Sequence, residues 1–177
     1  MCKMSTLSEL CDYIKCCNPY NDQVDKHLVI IALATRASQI TTQHVKTRNN
    51  FFKPGLLGLF KKRNYLEEAQ DINSLKEEAS GLRDIIDEIL SLTSVKAKEL
   101  FTEDDTYTTS IKMFREFFDA QQSALEQFFI LASGLARKAR GESYSIQEYN
   151  TTLQKLEFLE DVCDRKTGRL ERILKER

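Results

Sequence analysis

One stretch constrains this chain more than any other. Between Tyr107 and Ala139, the residues Tyr107, Ile111, Phe114, Phe118, Gln121, Leu125, Phe128, Ala132, Leu135 and Ala139 follow one another at alternating spacings of four and three. That period is a helix burying one stripe against other helices, the pattern of a coiled-coil seam. Phe117 and Phe129 widen the stripe, so the helix is expected to touch more than one neighbour. Gln121 is its one polar core member, which either fixes register or partner number at some loss of stability or sits near the edge of the stripe.

Similar patterns flank it. Asn64 with Glu67 reads as a helix start, and Leu66, Ala69, Ile72, Leu75, Ala79, Leu82, Ile86 and Ile89 keep the helical period, extended by Leu92, Val95 and Leu100. Ser145 with Glu148 makes a capping box ahead of Ile146, Tyr149, Leu153, Leu156, Leu159, Cys163, Leu170 and Ile173. Gly141 is a fitting stop for the central helix, after Arg137, Lys138 and Arg140 have loaded its last turn with positive charge. Three long helices, about 65–101, 106–140 and 145–175, joined by turns of a few residues, predict an all-α antiparallel bundle. With only six Gly and two Pro in 177 residues, little argues against helix.

The N-terminal third differs. A first helix is predicted over about Thr6–Cys17, with Leu7, Leu10, Cys11, Ile14 and Cys17 on one face, ended by Asn18-Pro19. A second runs from about Asp22 to Arg48, with Val24, Leu28, Ile31, Thr35, Ser38 and Val45 assigned to its inward face. These make a basic helical hairpin over 1–50 that completes the bundle of 64–177. Residues 1–64 hold ten Lys/Arg against four Asp/Glu, and residues 65–177 hold sixteen against twenty-three. No acidic residue lies between Asp25 and Glu67. Such a segment faces phosphate, anionic lipid or an acidic protein surface, or complements the acidic remainder of its own chain.

Between hairpin and bundle lies an apolar, basic linker, 51–63. Phe51, Phe52, Leu56, Leu57, Leu59 and Phe60 stand beside Lys53, Lys61, Lys62 and Arg63, with Pro54, Gly55 and Gly58 breaking any helix. Exposed, these ten apolar and basic residues form a docking loop or an interfacial membrane contact; tucked in, they close one end of the bundle.

Within the second helix, Val29-Ile30-Ile31-Ala32-Leu33-Ala34-Thr35-Arg36-Ala37-Ser38-Gln39-Ile40 resembles the core motif of the omega subunit of bacterial RNA polymerase and its eukaryotic counterpart. The resemblance covers about twelve residues of the 177. It implies that Arg36, Ala37, Gln39 and Ile40 embrace the largest polymerase subunit.

Chemistry is sparse. Cys11, Cys16, Cys17 and His27 are the one set with zinc-ligand residue types, but adjacent cysteines serve a tetrahedral ion badly. His27 and His44 stand about 25 Å apart along one helix, too far to share a site. No Gly-rich phosphate loop, nucleophile elbow or metalloprotease His pair occurs. No recognised nucleic-acid module accompanies the basic span, which argues against nucleic acid. Five cysteines with no CxxC pair, no apolar leader and no membrane-length apolar run point to a reducing intracellular compartment. The expectation is a non-enzymatic helical interaction or assembly protein without a cofactor or small-molecule substrate. It binds another protein or itself, with an anionic membrane as the alternative partner.

Overall fold

The computed structural model describes residues 26–53, 63–97 and 105–175, and the side chains of 29–53, 63–91 and 109–172. It is an all-α bundle of α1 (Lys26–Phe52), α2 (Tyr65–Ala97), α3 (Asp105–Ala139) and α4 (Ile146–Lys175), with no strand among the described residues. The three long helices lie within a few residues of their expected bounds. The predicted helix Thr6–Cys17 lies outside the described residues.

The helix ends form where the local chemistry asks for them. Asn64 Oδ1 accepts from the Glu67 amide at 3.4 Å and its Nδ2 donates to Glu67 Oε2 at 3.3 Å, opening α2. The Ser145 box is reciprocal: the Glu148 amide donates to Ser145 Oγ at 3.1 Å, and the Ser145 amide to Glu148 Oε2 at 2.7 Å. That bonding holds the Glu148 carboxyl below its ordinary range. α3 stops in a paired-bond cap, with the Glu142 amide on Arg137 O at 3.1 Å and the Gly141 amide on Lys138 O at 3.0 Å. Gly141 takes φ +85°, the left-handed conformation that costs glycine nothing.

α3 is the central element. Phe114, Phe117, Phe118, Leu125, Phe128, Leu131 and Ala132 are each at most 1% exposed, and Gln121 is 2% exposed. α2 packs along one flank of α3, α4 along the other, and α1 lies on α2 and α3. Polar bonds set the directions. Arg115 meets Asp87 at 2.6 Å, Arg83 donates to Gln122 at 2.8 Å, and Lys76 meets Glu126 at 3.0 Å, so α2 runs antiparallel to α3. Lys166 on Glu116, with Cys163 packed on Ala120 and Ala124, does the same for α3 and α4. Lys166 holds the Glu116 carboxyl below its ordinary range, and burial pushes the Cys163 thiol up to about 12.

Several expected faces need correction. On α1 the buried residues are Val29, Ile30, Leu33, Ala37, Ile40, His44 and Phe51, whereas Ile31 and Val45 are 48% and 52% exposed. The expected inward face was one residue out of register, because the true stripe runs through a histidine. Leu66 and Ile146, both assigned inward, are 50% and 69% exposed at the first turns of α2 and α4, where no neighbour covers them among the described residues. Ile85 and Tyr144 join the core unannounced. The Tyr144 ring lies on Gly134, where an added Cβ would stand 2.3 Å from Cζ, and Arg137 caps its outer side at 5.7 Å. Burial raises the Tyr144 phenol above its ordinary range.

Two outcomes follow. Gly134→Ala gains helix propensity worth about 1 kcal/mol but must displace the Tyr144 ring. Thermal denaturation should therefore show a lower melting temperature in the native background and a higher one in a Tyr144→Ala background. Glu116 and Glu148 titrate below the unfolded value of about 4.3, so their contribution is present above that pH and lost as pH falls through their folded values. A Glu116→Gln/Glu148→Gln chain should show a flatter acid limb in urea titrations between about pH 5 and pH 3.

Candidate functional site, a buried polar cluster beneath α1

The inward stripe of α1 runs Ile30, Leu33, Ala37, Ile40, His44 and, two turns on, Phe51, at the spacing of a helix-packing seam. His44 is its polar member, 6% exposed, and it lands opposite Gln121, the polar member of α3. Gln121 Oε1 lies 3.0 Å from His44 Nδ1. The two groups bond in either sense: the imidazole donates from Nδ1 to the amide oxygen, or Nδ1 accepts from the amide NH2 when that group is turned over. Two polar residues that each interrupt an apolar stripe thus satisfy one another across 77 positions of sequence.

α4 closes the other side of the ring. Glu160 Oε1 lies 3.6 Å from His44 Nε2. Arg48, one turn beyond His44, donates through Nε to both Glu160 oxygens at 2.6 and 2.7 Å. The Arg48 guanidinium also lies 5.1 Å over the Phe52 ring. Phe128 packs beside the imidazole, with ring centroids 6.1 Å apart. The cluster therefore draws one side chain each from α3 and α4 onto two of α1. It is not fully satisfied: Thr41 Oγ1 and His44 Nε2, both on α1, are buried without a hydrogen-bond partner among the described residues.

As chemistry, this arrangement positions helices. The imidazole is enclosed, one nitrogen bonded to Gln121 and the other facing a carboxylate already paired with arginine. The Cys163 thiol is 4% exposed and protonated, the state in which a cysteine is inert. No group of three or more His, Cys, Asp or Glu converges on a metal position among the described residues. The set Cys11, Cys16, Cys17 and His27 lies outside the described side chains.

The apolar linker divides. α1 extends into it as far as Phe52. Phe51 is 4% exposed, its ring edge-on to Phe128 at 5.0 Å and to Tyr65 at 6.2 Å. Phe52 stacks on Phe128 at 6.0 Å, and Arg63 lies 4.8 Å over the Phe51 ring while pairing with Glu68 at 2.7 Å. These three close the bundle end on this chain's own residues, and Lys53 is exposed. Leu56, Leu57, Leu59, Phe60, Lys61 and Lys62 lie outside the described residues.

The omega-like motif sits on α1 with Ala37 and Ile40 turned into the core. Arg36 donates to Gln39 Oε1 at 3.1 Å and stands 3.9 Å from Glu78 of α2. No known family, curated protein or solved structure matches this chain. On α4, about 200° around the helix from Glu160, Phe158 is 63% exposed. It stands in an open hollow of about 430 Å³ shared with Gln127, Thr151, Gln154, Lys155 and Leu159.

Gln121→Leu leaves His44 Nδ1 buried and unpaired, a cost of about 1–3 kcal/mol. Urea denaturation should show that loss for Gln121→Leu, and recovery of a large part of it in the His44→Leu/Gln121→Leu double variant.

Proposed function

We propose that this chain acts by binding, as an adaptor or assembly subunit, rather than by catalysis. What supports this is the placing of particular side chains: His44, Gln121 and Cys163 are enclosed in the helix seams, while an aromatic stands in solvent. Phe158 is the most exposed large aromatic described, and it borders a concavity with two amides, a hydroxyl and a lysine. An aromatic anchor within a polar rim is the composition of an interaction hot spot. Single exposed apolar residues such as Ile130 need no such explanation.

The linker 51–63 carries this reading less far than its composition suggests, because Phe51 is committed to Phe128. A membrane contact through the remaining linker residues and a polymerase contact through Arg36, Ala37, Gln39 and Ile40 are the competing readings. No described helix is long and apolar enough to cross a membrane.

Affinity capture with the full chain at low and moderate salt, followed by reconstitution from purified components, separates them. The expected result is one stoichiometric protein partner that survives moderate salt and is lost with Phe158→Glu at unchanged melting temperature. Retention of anionic vesicles alone, lost as salt rises, would replace this reading with a membrane-surface role. A polymerase subunit lost with Arg36→Ala would favour the omega-like one.

A further inference from the structure

The helix seams of this bundle are not built alike. The α2–α3 seam closes over apolar residues with Lys76–Glu126 and Arg115–Asp87 at its rim, and where Tyr144 packs on α3 one buried polar atom, Tyr144 Oη, lacks a hydrogen-bond partner among the described residues. The α1 seam has a polar centre, His44 on Gln121, and carries two buried polar atoms without hydrogen-bond partners, Thr41 Oγ1 and His44 Nε2. Each buried unpaired group costs stability that an apolar replacement would restore, so this seam opens at lower cost than its neighbours. Two ion pairs add to its apolar contacts, Arg36 to Glu78 of α2 and Arg48 to Glu160 of α4. At the other end, Phe51 and Phe52 fasten α1 to Phe128, a fixed point about which the rest of the helix can lift.

We propose that α1 is a releasable strap over a helix-binding groove of α2 and α3, and that the groove takes a basic amphipathic helix of a partner protein. α1 itself states the chemistry of that occupant. An apolar stripe at alternating spacings of three and four enters between α2 and α3, and arginines meet acidic residues on either side, Glu78 of α2 and Glu160 of α4. The strap needs no partner to operate; the identity of its competitor rests on the interaction reading above.

The test uses the full chain. Under mild urea, hydrogen exchange read by mass spectrometry should show α1 exchanging at least tenfold faster than the α3 segment from Phe117 to Leu131. Glu160→Gln should speed α1 several-fold and leave that segment unchanged. Added salt should act like the substitution. Exchange of α1 and α3 through one common opening, moved together by Glu160→Gln, would overturn the strap. For the groove, a fluorescent peptide of residues 26–53 serves as the probe. It should bind the chain saturably, and its Leu33→Glu/Ile40→Glu version should not. Equal binding of the two peptides, or none by either, would overturn the groove. A chain that passes both tests and captures no protein fails only the interaction reading.

Discussion

The structure depends on α3 being buried around most of its circumference while carrying one polar residue in the middle of its stripe. Phe114, Phe117, Phe118 and Phe128 bring more apolar surface than a single neighbour can cover, which is why α2, α4 and α1 all converge on this helix. Gln121 then limits how α1 can lie. Slid along α3 by one turn, α1 would strand both the amide and the imidazole of His44 in apolar surroundings. The bond between them acts as a register pin, like a buried asparagine in a coiled coil.

Part of the chain's charge asymmetry is resolved within it. Arg36, Arg48 and Arg63 of the acid-free N-terminal span meet Glu78, Glu160 and Glu68 of the acidic remainder. The Arg48 pair is part-buried and bonded through both carboxylate oxygens, so it steers α1 toward α4 more firmly than an exposed pair would. The basic composition that invites a search for phosphate or lipid thus has an internal use, which moves attention to surfaces such as Phe158.

Much of the fold was legible because period and caps act locally. The stripe of α3, the Asn64 and Ser145 helix starts and the Gly141 stop all follow from residues within two turns of one another. The inward face of α1 was not legible, since a histidine and two threonines interrupt its apolar pattern and Ile31 and Val45 offer a false alternative one residue away. His44 becomes a core residue only because Gln121 meets it, and no local rule connects positions so distant. Gln121 was visible as a polar core member; its partner was not. The burial of Tyr144 is not legible for the same reason, as its place depends on the missing side chain of Gly134.

The most direct test of this account is the protonation of the His44 ring, read by long-range proton–nitrogen correlation on labelled protein. The expected result is a ring held in one protonation pattern, protected from water, with Nδ1 close to and hydrogen-bonded with the Gln121 side chain. A ring in fast exchange with solvent, or one with no proximity to Gln121, would contradict the pin on which the placement of α1 rests.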